Sequence, residues 1–90
     1  MPFCMTWNVV LSNRAERALS RVPARDRQRI TVALLSMEQD PLSGDVIPLK
    51  GPYAGAYRRR VGSWRIVFAL DWDRQVVGVA NIARRTSTTY

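Results

Sequence analysis

The spacing of apolar positions changes along the chain: a short β-prone run, two stretches with helical spacing, and then strand-like segments between turn signals. Residues 5–11 (MTWNVVL) are apolar and β-prone and predict a first strand. Ser12 or Asn13 then caps a helix, and Glu16 stands three residues after Asn13 in a capping-box position. Ala15, Ala18, Leu19 and Val22 fall at i, i+3, i+4 and i+7, one apolar stripe, with Arg14, Arg17 and Arg21 on the other face. Pro23 suits the first turn of a second helix, where its missing N–H is not needed. Ile30, Ala33, Leu34 and Met37 repeat the helical spacing until Asp40-Pro41 ends it.

Residues 40–55 (DPLSGDVIPLKGPYAG) carry much of the Pro and Gly and read as a loop. AYRRRV, WRIVFALD and QVVGVANIA follow as strands, separated by Gly62-Ser63 and by Asp71-Trp72-Asp73-Arg74. The expectation is a three-stranded antiparallel meander covered on one face by the helix pair, an α+β fold in which residues 1–90 make one domain.

With Gly62-Ser63 as a two-residue turn, Arg60 pairs with Arg65 and Arg58 with Val67. Alternation then puts Arg58, Arg60 and Arg65 on one face and Tyr57, Arg59, Val61, Trp64, Ile66 and Phe68 on the other, helix-facing side. Carrying the register across the second turn, centred on Asp73-Arg74, pairs Arg65 with Ile82. That parity puts Arg84 on the arginine face and turns Arg85 away. Arg60 opposite Arg65 is a repulsive pair, so four converging guanidinium groups are a net cost unless an anion meets them. Arg59 reads as an edge residue that snorkels, and Trp7, Trp64 and Phe68 as core.

Composition sharpens this picture. Hydrophobic residues make up 47% and charged residues 23% of the 90, as in folded soluble proteins. The formal net charge is +7, and of the fourteen basic residues only Lys50 is not arginine. Arginine's planar fork suits phosphate and carboxylate, so a nucleic acid or an acidic protein segment is the expected partner. The single cysteine, Cys4, excludes an internal disulfide and fits a reducing cytoplasm; with no histidine it also argues against a zinc site. Without a His partner Cys4 is no nucleophile. No apolar run is long enough to cross a membrane, and the N-terminus lacks the features of a signal peptide.

The order strand, helix pair, Leu49-Lys50-Gly51, the hairpin from Tyr57 to Phe68 and a last strand running into IARRTSTTY resembles the RelE/ParE toxin superfamily of bacterial type II toxin–antitoxin systems, over essentially the whole chain. The resemblance implies two helices on a small antiparallel sheet and a cognate antitoxin partner. It implies one of two activities: the RelE branch cleaves mRNA in the ribosomal A site, and the ParE branch poisons DNA gyrase. The RelE-branch site positions carry onto Arg58 and Arg60 before the turn, Arg65 after it, Arg84 at the end of the last strand and Tyr90 near the C-terminus. Lys50 and Arg85 are further candidates for RNA contact, and Arg85 stands as the alternative to Arg84.

Family chemistry uses the ribose 2′-OH to attack the adjacent phosphate, with no metal or other cofactor. Such a site needs cations around the phosphorane, a base and an acid. The arginines fit the first role, and Tyr90 either stacks on a base or folds back on the sheet. The RelE branch has a lysine where this chain has Arg58, and arginine is a poor base. Tyr90, Lys50, a carboxylate such as Asp45, or a ribosomal group remain for proton transfer. The missing base favours a non-catalytic gyrase inhibitor as the second reading, and an inactivated RNA- or protein-binding member as the third. Operator DNA is implied only through the antitoxin complex.

Overall fold

The computed structural model describes residues 7–84, the side chain of Tyr53 excepted. Strand β1 (Asn8–Leu11) leads into helix α1 (Asn13–Arg21) through Ser12. The Ser12 hydroxyl accepts the N–H of Ala15 at 3.1 Å, satisfying one of the donors that a helix N-terminus leaves open. Pro23 then caps helix α2 (Ala24–Gln39), whose end is marked by Asp40. Of the predicted stripes, Ala15 on α1, Val22 at its C-cap, and Ile30, Ala33, Leu34 and Met37 on α2 are buried, while Ala18 and Leu19 are half-buried against the core.

Four strands follow: β2 (Val46–Pro48), β3 (Ala56–Val61), β4 (Trp64–Asp71) and β5 (Val76–Arg84), with a 3₁₀ turn at Gly51–Tyr53 before β3. They join β1 in one sheet of order β1-β5-β4-β3-β2. The fold is α+β as expected, but the sheet is larger than the predicted meander. β2 lies inside the segment read as a loop and pairs antiparallel with β3. It carries Pro48 at its end, as an edge strand tolerates. β1 pairs parallel with β5, so the sheet is mixed rather than wholly antiparallel. The first two residues of the predicted strand one, like Cys4, lie outside the described residues.

Gly62 takes φ +58°, the positive φ that a tight hairpin asks of its first turn residue, and Val61 pairs with Trp64 as expected. The helix-facing side of the sheet contributes Ile66, Phe68, Val77, Val79 and Ile82 to the core. Each such fully buried side chain contributes roughly 1.5–3 kcal/mol. Trp7 and Phe68 are buried as expected, and Trp64 is half-buried with its indole N–H donating to Asp26 Oδ2 at 3.0 Å, which fastens the hairpin to the first turn of α2.

Candidate RNA-binding face

The β3–β4 register puts Arg60 directly opposite Arg65 and Arg58 opposite Val67, so the three arginines share the sheet face opposite that of the core residues Ile66 and Phe68. Arg65 is the only buried charged residue among those described, at 5% exposure. Arg58 and Arg60 are half-buried, and the Nε of Arg58 has no hydrogen-bond partner among the described residues. The Asp45 carboxylate lies 3.7 Å from Nε of Arg60, and the Arg60 backbone N–H donates to the Asp45 carbonyl at 3.0 Å. One carboxylate therefore sits at the rim of a face that carries three cations. Guanidinium forks on neighbouring strands are donor chemistry that suits a phosphodiester or a carboxylate.

The placement of Arg84 needs correction. The second turn pairs Asp71 with Val76 as predicted, and Phe68 with Val79, but Val67 then pairs with Asn81. Ala80 is an extra residue in β5, a β-bulge that shifts the register by one. Ala83, not Ile82, therefore sits opposite Arg65, and Arg84 faces Trp64 on the helix side of the sheet. The four-arginine convergence becomes three, and the parity ground for preferring Arg84 over Arg85 disappears. Arg85 and Tyr90 lie outside the described residues.

Ser12 stabilises this bulge. Its hydroxyl donates to the carbonyl of the bulged Ala80 at 2.8 Å, and its N–H, donating to the Val79 carbonyl at 2.9 Å, continues the parallel β1–β5 ladder beside it.

Arg59 is not a snorkelling edge residue. It reaches from the helix-facing side of β3 to α2, where Nη1 donates to Ser36 Oγ at 2.7 Å and to the Ala33 carbonyl at 3.5 Å. Burial lowers its pKa from the ordinary guanidinium value. A Cβ on Gly44, which has φ +82°, would come within 3.0 Å of its Nη2. Arg59 thus ties β3 and the loop before β2 to the second helix. Lys50 is exposed in the turn between β2 and β3, outside the strand pair that carries Arg58, Arg60 and Arg65. Sequence reasoning overlooked the links from Ser12 to Ala80 and from Arg59 to Ser36. Only the step of three from Val79 to Ile82, which breaks strand alternation, signals the bulge.

Among the described residues, no cluster of three or more His, Cys, Asp or Glu side chains could hold a metal ion, and no helix is long and apolar enough to cross a membrane.

The fold matches solved toxin structures. The RelBE2 toxin–antitoxin complex from Mycobacterium tuberculosis superimposes with a TM-score of 0.82 at 22% identity, covering 90% of this chain and 93% of that one. The archaeal RelE–RelB complex from Pyrococcus horikoshii OT3 gives a TM-score of 0.81 at 26% identity, covering 93% of this chain and 100% of that one. A YoeB/ParE toxin from Agrobacterium tumefaciens gives 0.76 at 22% identity, covering 88% and 99%. The chain has the fold of the RelE-like toxin superfamily. No protein-family model matches the sequence, and neither does any curated protein.

Proposed function

We propose that the chain is the toxin of a type II toxin–antitoxin system, a ribosome-dependent and metal-independent mRNA endonuclease that arrests translation in the cytoplasm until a cognate antitoxin neutralises it. The observation that carries this reading is the common face of Arg58, Arg60 and Arg65 with Asp45 at its edge. Its solved neighbours include toxins described in complex with antitoxins, which supports the antitoxin partner. Operator DNA is bound only through that complex.

In the proposed reaction the ribose 2′-oxygen attacks phosphorus, loses its proton to a base, and the 5′-oxygen leaves and takes a proton. The products are a 2′,3′-cyclic phosphate and a 5′-OH. Negative charge accumulates on the phosphorane oxygens, where fixed guanidinium groups stabilise the transition state more than the ground state. Arg65, the most buried of the three, is the cation whose position the strand pair fixes most firmly. Asp45 is the carboxylate beside these cations and the candidate base, and Tyr90 is the residue for stacking on a base.

Arg58 in place of an amine favours a second reading, a gyrase inhibitor without catalysis. Primer extension on mRNA from a purified translation reaction separates the two. Discrete A-site cuts support the nuclease; intact message beside inhibited gyrase supercoiling overturns it.

A further inference from the structure

A second basic feature lies across strand β5 from the arginine face. Arg14, Arg17 and Arg21 stand three and four residues apart on one face of α1, all exposed, and with Ala18 and Asn81 they line an open recess of about 320 Å³. None of the three makes an ion pair with a described residue. Neighbouring like charges at these spacings repel, and Arg14 in the first turn also opposes the positive end of the helix dipole. Arg21, in the last turn, has the favourable placement, so the cost falls on the Arg14 and Arg17 end of the row.

Asn81 joins this recess to the candidate site. The bulge at Ala80 pairs Asn81 with Val67, so it shares the sheet face of Arg65, and its neighbour two positions on, Ala83, lies opposite Arg65 itself. From Arg14 to Arg21 the helix rises about 10 Å. A line of guanidinium forks of that length matches a polymer of phosphates better than a single small anion.

We propose that the α1 recess formed by Arg14, Arg17, Arg21 and Asn81 is a separate RNA-backbone site, which binds phosphates outside the reacting group and is continuous with the arginine face through β5. The site rests on the reading of the chain as an RNA-acting protein. Its contribution is affinity and register rather than bond breaking, since its arginines lie outside the face assigned to the reacting phosphate.

The test uses a single-stranded 2′-O-methyl RNA, which has no free 2′-OH and cannot be cut. Its affinity is measured by fluorescence anisotropy across a salt series for the wild type, R14Q/R17Q/R21Q, and the control R25Q/R27Q/R74Q, which removes three exposed arginines elsewhere. Each variant is first checked for folding by circular dichroism. Three lost phosphate contacts on a single strand predict a fall of about two in the slope of log K against log salt for the recess variant. The control should keep the wild-type slope. An unchanged slope in the recess variant overturns the site, as does an equal fall in the control or a wild type that does not bind this RNA. Recess substitutions that weaken only an acidic peptide also overturn it. A-site cleavage is assayed in parallel: a lowered slope with no cleavage by the wild type leaves the recess standing and removes the nuclease reading, whereas cleavage with an unchanged slope does the reverse.

Discussion

Arg60 and Arg65 face each other directly across strands β3 and β4, and the nearest counter-charge to Arg60 is the Asp45 carboxylate, 3.7 Å from its Nε. Like charges in register cost a sheet stability, and one half-exposed carboxylate offsets little of that cost. In the proposed function an anionic ligand offsets that cost.

Asp45→Asn separates structure from chemistry. The ion pair is long and well exposed, so its loss should change unfolding free energy by no more than about 1 kcal/mol. As the base, Asp45 should be worth about 10²-fold or more in cleavage rate. Urea unfolding and single-turnover cleavage read the two effects. A stable variant that cuts at the wild-type rate moves the base elsewhere.

The bulge at Ala80 predicts a contrast between adjacent arginines. Arg84 faces Trp64 on the helix side, so Arg84→Ala should keep cleavage within about threefold, less than half the effect of one tenfold rate step on the barrier. Arg85→Ala is expected to be the more damaging of the two. Cleavage rates of the paired variants check the order.

Ser12→Ala removes a helix cap and the hydroxyl donor to the Ala80 carbonyl together. Caps alone contribute about 1–2 kcal/mol, and in a domain of this size each kcal/mol shifts Tm by about 4–8 °C. Thermal melts should show a fall of at least about 5 °C, and a change under 2 °C would mean that the bulge does not depend on this hydroxyl.

The helices were legible because their burial follows one period: the stripes from Ala15 to Val22 and from Ile30 to Met37 lie against the sheet. The first hairpin was legible because Gly62-Ser63 fixes its register, and with it the shared face of Arg58, Arg60 and Arg65. What was hidden depends on contacts distant in sequence. β2 is three residues long, contains a proline and forms only by pairing with β3, so local propensity could not reveal it. The position of Arg84 turns on one inserted residue, because strand parity carries every register error forward to the end of the strand. Arg59 looked like part of a surface run, but its burial depends on α2, more than twenty residues earlier.

That tie predicts a coupled pair. Ser36→Ala should cost about 1–2 kcal/mol by leaving the half-buried Arg59 charge short of its hydroxyl partner, and clearly less in an Arg59→Met background. Because burial lowers the Arg59 pKa, the folded state binds this proton less tightly than the unfolded state. The group opposes stability while both states are protonated, and arginine stays protonated across the neutral range, so this penalty is constant there. Denaturation midpoints for the double-mutant cycle, repeated between pH 6 and 9, should give the same coupling throughout.

In the proposed function the buried Arg65 stabilises the reacting phosphate on the ribosome. The most direct measurement is the single-turnover rate of A-site mRNA cleavage on programmed ribosomes, comparing the wild type with a folded Arg65→Gln variant. Loss of one such cation should slow cleavage by about 10²–10³-fold with A-site binding retained. Cleavage by the folded variant at the wild-type rate would take that role from Arg65, and no cleavage by the wild type would end the nuclease reading.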